Sequence, residues 1–248
     1  MNLSEASVLV TGGGKGIGRF IATHLLGKVS RVIVIDQDVQ LLKDLPDSAD
    51  LIAYHADITA ADVVEKTVKE IFEKHGGINV CINNAGIIHS EPLINILSRG
   101  EKKHSISNWE KVIDINLNGV FYVTSNVVEN MVSRRKKGVI INISSISAQG
   151  NVGQSAYAAS KAAVEALTKT WSKELGMFNI RCACIAPGFF NTPSTKESLN
   201  ENMLAKWQKS VPLGKLGELD DLLNAVEFII TNEYFNGKVL ALDGGLSI

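Results

Sequence analysis

Tyr157 and Lys161 stand four residues apart in Tyr157-Ala158-Ala159-Ser160-Lys161, a spacing that sets both side chains on one face of a helix. A free tyrosine titrates at about pH 10 and is a poor base at neutral pH. A neighbouring ammonium stabilises the phenolate and lowers that value, which equips the phenol to exchange a proton with a substrate oxygen. A serine hydroxyl beside it can hold that oxygen in place, and Ser144-Ser145 lie just upstream. In isolation a Tyr-x-x-x-Lys pair is an ordinary helix surface. Here it has company in chain order: Asn83-Asn84-Ala85-Gly86, Asn116 within Asp114-Ile115-Asn116-Leu117-Asn118-Gly119, the serine pair, and Pro187-Gly188-Phe189-Phe190-Asn191-Thr192.

A second chemistry is written near the N-terminus. Thr11-Gly12-Gly13-Gly14-Lys15-Gly16-Ile17-Gly18 separates a short apolar run from an amphipathic one. A dinucleotide pyrophosphate needs close backbone approach and free N–H groups at a helix start. Glycine permits the tight turn and removes the Cβ, and the helix dipole adds partial positive charge. Gly12, Lys15, Gly16, Ile17 and Gly18 are therefore candidate cofactor contacts. Asp36 closes the next apolar run, about twenty residues beyond the turn, where a carboxylate accepts hydrogen bonds from the ribose 2′-OH and repels a 2′-phosphate. That favours NAD over NADP. Lys15 pulls the other way, and Asp36 can also be read as a plain strand-end turn residue. Methyltransferases share both the glycine turn and the acid, so the Asn, Ser, Tyr and Lys companions have to decide the chemistry.

These residues need a frame. Ala6–Val10, Arg31–Ile35, Leu51–His55, Asn79–Ile82, Val139–Ile143, Ile180–Ile185 and Val239–Leu242 read as strands. Gly16–Leu26, Ala61–His75, Trp109–Ser133, Tyr157–Leu175 and Leu219–Ile230 read as helices. Strands apolar on both faces are buried on both, and their alternation with helices predicts a parallel sheet with right-handed crossovers. The expectation is an α/β chain: a single-domain, Rossmann-type, doubly wound parallel sheet of about seven strands with helices on both faces, spanning residues 1–248. All the motifs except Asn116 and the tyrosine segment directly follow strands, so they converge on one crevice.

The bulk numbers exclude several classes. With 248 residues, 45% hydrophobic and 21% charged, the chain can bury a large core and is not disordered. A formal net charge of −1 sets up no global field for nucleic acid or an anionic membrane, and no run approaches transmembrane length. Cys81, Cys182 and Cys184 are odd in number and form no C-x-x-C pair, which argues against a disulfide framework or a zinc site. Cys182 and Cys184 alternate on one strand face and read as small buried hydrophobes. The five histidines are scattered without ligand spacing, so no metal is expected. No targeting segment precedes the first strand, and a cytoplasmic location is the expectation.

Taken together, the motifs resemble the short-chain dehydrogenase/reductase superfamily from Thr11 to the end of the chain. Thr11–Gly18 matches that family's TG-x-x-x-G-x-G turn, and Asn116, a serine, Tyr157 and Lys161 match its catalytic tetrad. The resemblance implies hydride transfer between a nicotinamide cofactor and a carbinol or ketone carbon, with Tyr157 moving the proton. It implies that Lys161 also holds the nicotinamide ribose and that Asn116 anchors a water relay. Asp57 and Ile58 would lie beside the adenine, Asn83, Ala85 and Gly86 would line the cofactor cleft, and Pro187, Gly188 and Thr192 would hold the nicotinamide end. Leu242-Asp243-Gly244-Gly245 matches the last strand and terminal turn, and a homo-oligomer, usually a tetramer, is implied. The family's usual serine-to-tyrosine spacing selects Ser144. The strand-end pattern N-[IV]-S-S selects Ser145, and Ser145 is the expected catalytic serine because strand register fixes a side chain better than loop length does.

Two segments are candidates for substrate choice. Ile87 to Asn108 is longer than in most family members and holds Lys102-Lys103-His104, which reads first as a solvated loop tip. Phe189 to Val211 carries Phe189, Phe190, Met203, Leu204 and Trp207, a spacing that suits either an amphipathic lid or plain core packing. Within the superfamily, the long insert, Gly153-Gln154, Ala186 to Pro193 and Phe235-Asn236-Gly237-Lys238-Val239 resemble type 2 3-hydroxyacyl-CoA dehydrogenases. That implies NAD-dependent oxidation of 3-hydroxyacyl thioesters, with Lys102 and Lys103 meeting the CoA phosphates. The 3-oxoacyl-[acyl-carrier-protein] reductases are the alternative; for them Arg134-Arg135-Lys136-Lys137 would dock an acidic carrier, although the run also ends a helix where cations offset the dipole. A non-catalytic nucleotide-binding sensor is the alternative of another class, opposed by the presence of all four catalytic residue types.

Overall fold

The computed structural model describes residues 1–192 and 201–246. Val8-Leu9-Val10 are apolar on both faces, and they build β1 (Ser7–Thr11) at the middle of the sheet. β2 (Arg31–Asp36), β3 (Leu51–His55), β4 (Val80–Asn83), β5 (Gly138–Ile143), β6 (Ile180–Pro187) and β7 (Val239–Leu242) complete a seven-stranded sheet of order β3-β2-β1-β4-β5-β6-β7. Every pairing is parallel. Side chains alternate between faces with a period of two, and the core follows that rule. Val8 and Val10 pack with Ile21 of α1 (Gly16–His24) and with Leu222 and Val226 of α8 (Leu219–Thr231). Leu9 faces the other layer with Val68 and Phe72 of α3 (Ala61–His75), Val123 and Val127 of α5 (Gly119–Ser133) and Val164 of α6 (Ser155–Glu174). Each such side chain contributes roughly 1.5–3 kcal/mol when fully buried. This is the Rossmann-type architecture expected from the sequence.

Strand order reverses between β1 and β4, and in open α/β sheets that reversal opens the crevice at the carboxyl ends of the strands. Thr11, Asp36, Asn83, Ile143 and Pro187 end their strands on that edge.

The structure differs from the sequence pattern in informative places. The long helix expected at Trp109–Ser133 begins earlier, as α4 (Ile106–Ile113), where Ser105 Oγ accepts from the Asn108 N–H at 3.3 Å. It then passes through a π-helical segment, Asp114–Asn118, before α5. A π turn adds one residue to a helical turn, often at functional sites, and here it holds a fully buried Asn116. α2 (Val39–Lys43), capped by Asp38, is too short to show periodicity. The insert 87–108 folds back on itself, so His104 is buried at 7% exposure rather than lying at a solvated tip, while Lys102 and Lys103 remain exposed. In the other candidate segment Phe190 is core, and Phe189 stacks on Trp207 of α7 (Glu201–Ser210) with ring centroids 4.2 Å apart. The side chains of Met203 and Leu204 lie outside the described residues. No helix among the described residues is long and apolar enough to cross a membrane.

Candidate active site

At Gly12, Gly13, Gly14 and Gly18 the glycine turn is shaped by contacts that leave no room for side chains. Gly12, at φ 64°, donates its N–H to the Ile35 carbonyl at 2.8 Å, and a Cβ on it would meet the Ala85 Cα at 2.8 Å. A Cβ at Gly18 would sit 2.3 Å from the Gly12 carbonyl oxygen and 2.4 Å from Asn84 Nδ2. Gly18→Ala should therefore cost about 1–3 kcal/mol of stability and weaken nucleotide binding, which thermal melts and a nucleotide titration will show together. Lys15 is extended and caps α1, which opens at Gly16, followed by Ile17.

Three side chains hold this turn in shape. Asp36 Oδ2 accepts from the Gly14 N–H at 2.9 Å, and Oδ1 accepts from the Asp38 N–H at 3.1 Å. Asn84 Nδ2 donates to the carbonyls of Thr11 at 3.0 Å and Gly12 at 3.2 Å, while Thr11 Oγ1 accepts from the N–H groups of Asn84 and Ala85, both at 3.1 Å. Thr11 and Asn84 were not singled out by sequence pattern. Their neighbour Asn83 was, yet its buried amide donates to Thr124 Oγ1 and Asn142 Oδ1, both at 2.8 Å, so its side chain is spent inside the sheet. Just past β3, Asp57 is exposed and accepts from the N–H and hydroxyl of Thr59, and Ile58 packs where a Cβ on Gly119 would fall. A glycine cradle over an N-terminal helix turn, with an acid at the end of β2, would fit a dinucleotide.

Tyr157 and Lys161 lie one turn apart on α6, and both are buried, at 8% and 4% exposure. Lys161 Nζ is 5.7 Å from the tyrosine ring centroid and donates to the Ile143 carbonyl at 2.8 Å. The electrostatics differ from the simple expectation. Burial pushes the Tyr157 phenol above its ordinary value, and the opposing influence is a hydrogen bond with Ser145. Burial also brings the Lys161 ammonium down to about 8. Within the chain alone, desolvation therefore outweighs the help that Ser145 gives the phenolate.

The two adjacent serines divide cleanly. Ser144 is buried, and its hydroxyl lies 2.9 Å from Glu165 Oε1 and 3.2 Å from the Lys161 carbonyl. Ser145 is the one that draws the Tyr157 phenol down against burial, and its Oγ accepts from the Ser147 N–H at 3.1 Å. Asn116 grips Ile87 twice: Oδ1 accepts from the Ile87 N–H and Nδ2 donates to the Ile87 carbonyl, each at 2.9 Å. A Cβ on Gly86 would lie 3.2 Å from Asn116 Oδ1 and 3.5 Å from Lys161 Nζ, so Gly86, Asn116 and Lys161 converge. Past β6, Gly188 donates to the Leu242 carbonyl at 2.7 Å and Thr192 is buried, closing the far wall behind Pro187.

Metal-ligand spacing is absent from the sequence, yet the fold gathers His89, Glu91 and His104 in the insert. Cys81, Cys182 and Cys184 are free and buried, and desolvation pushes each thiol up to about 12.

Comparison with known proteins is consistent along the chain. Residues 6–203 match the short chain dehydrogenase family. The 3-oxoacyl-[acyl-carrier-protein] reductase FabG of Thermotoga maritima is 38% identical, with all of both chains covered. The (3R)-3-hydroxyacyl-CoA dehydrogenase of Homo sapiens is 36% identical over 98% of this chain and 96% of its own length. Among solved structures, Thermoplasma acidophilum aldohexose dehydrogenase (AldT), in ligand-free form, superposes with a TM-score of 0.85 at 29% identity, covering 98% of this chain and 94% of that one.

Proposed function

The chain belongs to the short-chain dehydrogenase family, and from that premise we propose that it oxidises 3-hydroxyacyl thioesters to 3-oxoacyl thioesters with NAD, and catalyses the reverse. It is an oxidoreductase acting on CH–OH groups. The observation that carries the mechanistic reading is the buried Tyr157 phenol, with Lys161 one turn away and Ser145 acting on it, on the same sheet edge as the glycine turn.

NAD would sit with its pyrophosphate on Gly12, Lys15, Gly16, Ile17 and Gly18 and its adenosine ribose on Asp36. Asp57 and Ile58 would flank the adenine, Ala85 and Gly86 the cleft, and Pro187, Gly188 and Thr192 the nicotinamide end; Asn83 would offer backbone only. When bound, NAD supplies the hydride acceptor and a positive charge. The chain's own work is to move a proton and hold an oxygen. Ser145 donates to the substrate oxygen, and Tyr157 takes the hydroxyl proton as the carbinol is oxidised or returns it on reduction. Lys161 keeps positive charge beside the phenol and grips the nicotinamide ribose. Asn116, by pinning Ile87, fixes the wall from which a water relay would run.

Ser145→Ala should lower kcat/KM by about 10²-fold, the scale of losing one preorganised donor. Ser144→Ala should spare kcat and instead lower Tm, because Glu165 loses a buried partner worth roughly 1–3 kcal/mol. Kinetics and melts on the two variants separate the serines, and a reversed pattern contradicts the assignment.

NAD is preferred over NADP because of Asp36. The thioester is argued from the human relative and from exposed Lys102 and Lys103 on the insert, suited to CoA phosphates. The second reading, reduction of a 3-oxoacyl-[acyl-carrier-protein], has the Thermotoga relative in its favour. Its docking run is largely engaged within the chain: Arg134 lies over the Phe72 ring at 5.5 Å, Lys136 donates to the Gly76 carbonyl, and Lys137 pairs with Glu233 at 3.5 Å. Steady-state kinetics with acetoacetyl-CoA, an acetoacetyl-carrier protein and both nucleotides test the choice; a marked preference for NADPH and the carrier substrate would overturn it. A single cofactor-binding domain over 1–248, a homotetramer with a cytoplasmic location, and no nucleic-acid or membrane partner complete the reading.

A further inference from the structure

Among the described residues, His89, Glu91 and His104 form a cluster of potential ligands outside the catalytic constellation, with one ligating atom from each within 4.8 Å of the others. Residues two apart on extended chain point the same way, which pairs His89 with Glu91. Glu91 is held in place by a bridge to Gln154, its N–H donating to the Gly153 carbonyl at 2.6 Å. The insert then folds back, and the His104 N–H donates to the Leu93 carbonyl at 2.9 Å. Glu91 Oε2 comes to lie 2.9 Å from His89 Nε2 and 3.9 Å from His104 Nδ1.

Two features suit this cluster to a cation. The Glu91 carboxylate is oriented by the Ser105 N–H at 3.0 Å and by Asn108 Nδ2 at 3.2 Å, the kind of outer contact that fixes a metal ligand. His104 is 7% exposed, its Nδ1 lies 3.0 Å from the Glu91 carbonyl oxygen, and its Nε2 is buried. That buried Nε2 has no hydrogen-bond partner among the described residues, and a buried polar atom without a partner is costly.

We propose that His89, Glu91 and His104 bind a divalent transition-metal ion of the zinc type, which clamps the 87–108 insert against the start of α6. Two imidazoles and one carboxylate are a zinc donor set, with water completing the shell; magnesium and calcium favour oxygen alone. The ion undergoes no redox step. Its consequence reaches the catalytic centre through short paths of packing and hydrogen bonding: Ile87, two residues before His89, packs with Tyr157 and Val112, and Gln154 Nε2 donates to Ser90 Oγ at 3.2 Å.

The test is a calorimetric titration of chelator-treated, full-length protein with Zn²⁺, Co²⁺ and Mg²⁺. One equivalent of Zn²⁺ should bind and raise Tm, Co²⁺ should develop the visible absorption of a four-coordinate centre, and Mg²⁺ should do neither. His89→Ala, a change at a partly exposed position, and His104→Gln should each weaken Zn²⁺ binding by about tenfold or more. Absence of stoichiometric Zn²⁺ binding overturns the proposal, as does binding that survives His89→Ala unchanged.

Discussion

Tyr157→Phe should lower kcat by about 10²–10⁴-fold, the range lost with a positioned proton-transfer group, while NAD affinity and Tm stay close to those of the parent. The ring's packing against Val112, Ala156 and Ile87 survives the change, since only the hydroxyl is removed. Equilibrium NAD titration and steady-state turnover on one preparation read both halves. A protein that merely senses nucleotide would show no functional change. The same hydroxyl sets a pH signature. Burial raises the phenol, so alcohol oxidation, which needs the phenolate, should gain kcat/KM as pH rises, and ketone reduction, which consumes the phenol's proton, should lose it. The ammonium of Lys161, brought down to about 8, sheds charge over the upper part of that range and blunts the gain in phenolate. In the variant this dependence on the phenol should vanish.

Asp36→Asn should erode the preference for NAD over NADP by roughly ten- to a hundredfold, the equivalent of about 1.5–3 kcal/mol for a charge-assisted hydrogen bond. The asparagine retains an oxygen that can accept from the Gly14 N–H, so the turn keeps its brace. What it loses is the second oxygen, which accepted from the Asp38 N–H, and the negative charge that binds the ribose hydroxyls and repels a 2′-phosphate. Ratios of kcat/KM for the two nucleotides, measured on one substrate, carry the comparison. If the ratio does not move, Asp36 serves the turn alone, and the choice of NAD rests elsewhere.

How much of this could be read from residue order follows from the range of each interaction. Strands such as Leu51–His55 and Val239–Leu242, and the helix Ala61–His75, match the pattern to the residue, because burial on one or both faces leaves a local periodicity. The placement of Ser145 beside Tyr157 follows the register of β5, which sends the preceding Ser144 toward Glu165. The π turn at Asn116 left no trace, since one extra residue in a long apolar helix barely shifts the pattern. Asn83 looked like a cofactor contact because it opens a motif; its partners Thr124 and Asn142 are distant in sequence. The burial of His104 depends on the fold-back of a loop, which no spacing rule describes. The raised phenol of Tyr157 was also out of reach, because it reflects how thoroughly the residue is desolvated.

A crystal structure of the complex with NAD and acetoacetyl-CoA tests the central claim most directly. The 3-keto oxygen should lie within hydrogen-bond reach of both Tyr157 Oη and Ser145 Oγ, with the nicotinamide ribose on Lys161 Nζ. A nucleotide bound with its nicotinamide remote from Tyr157, or a keto oxygen held by other groups, would contradict it.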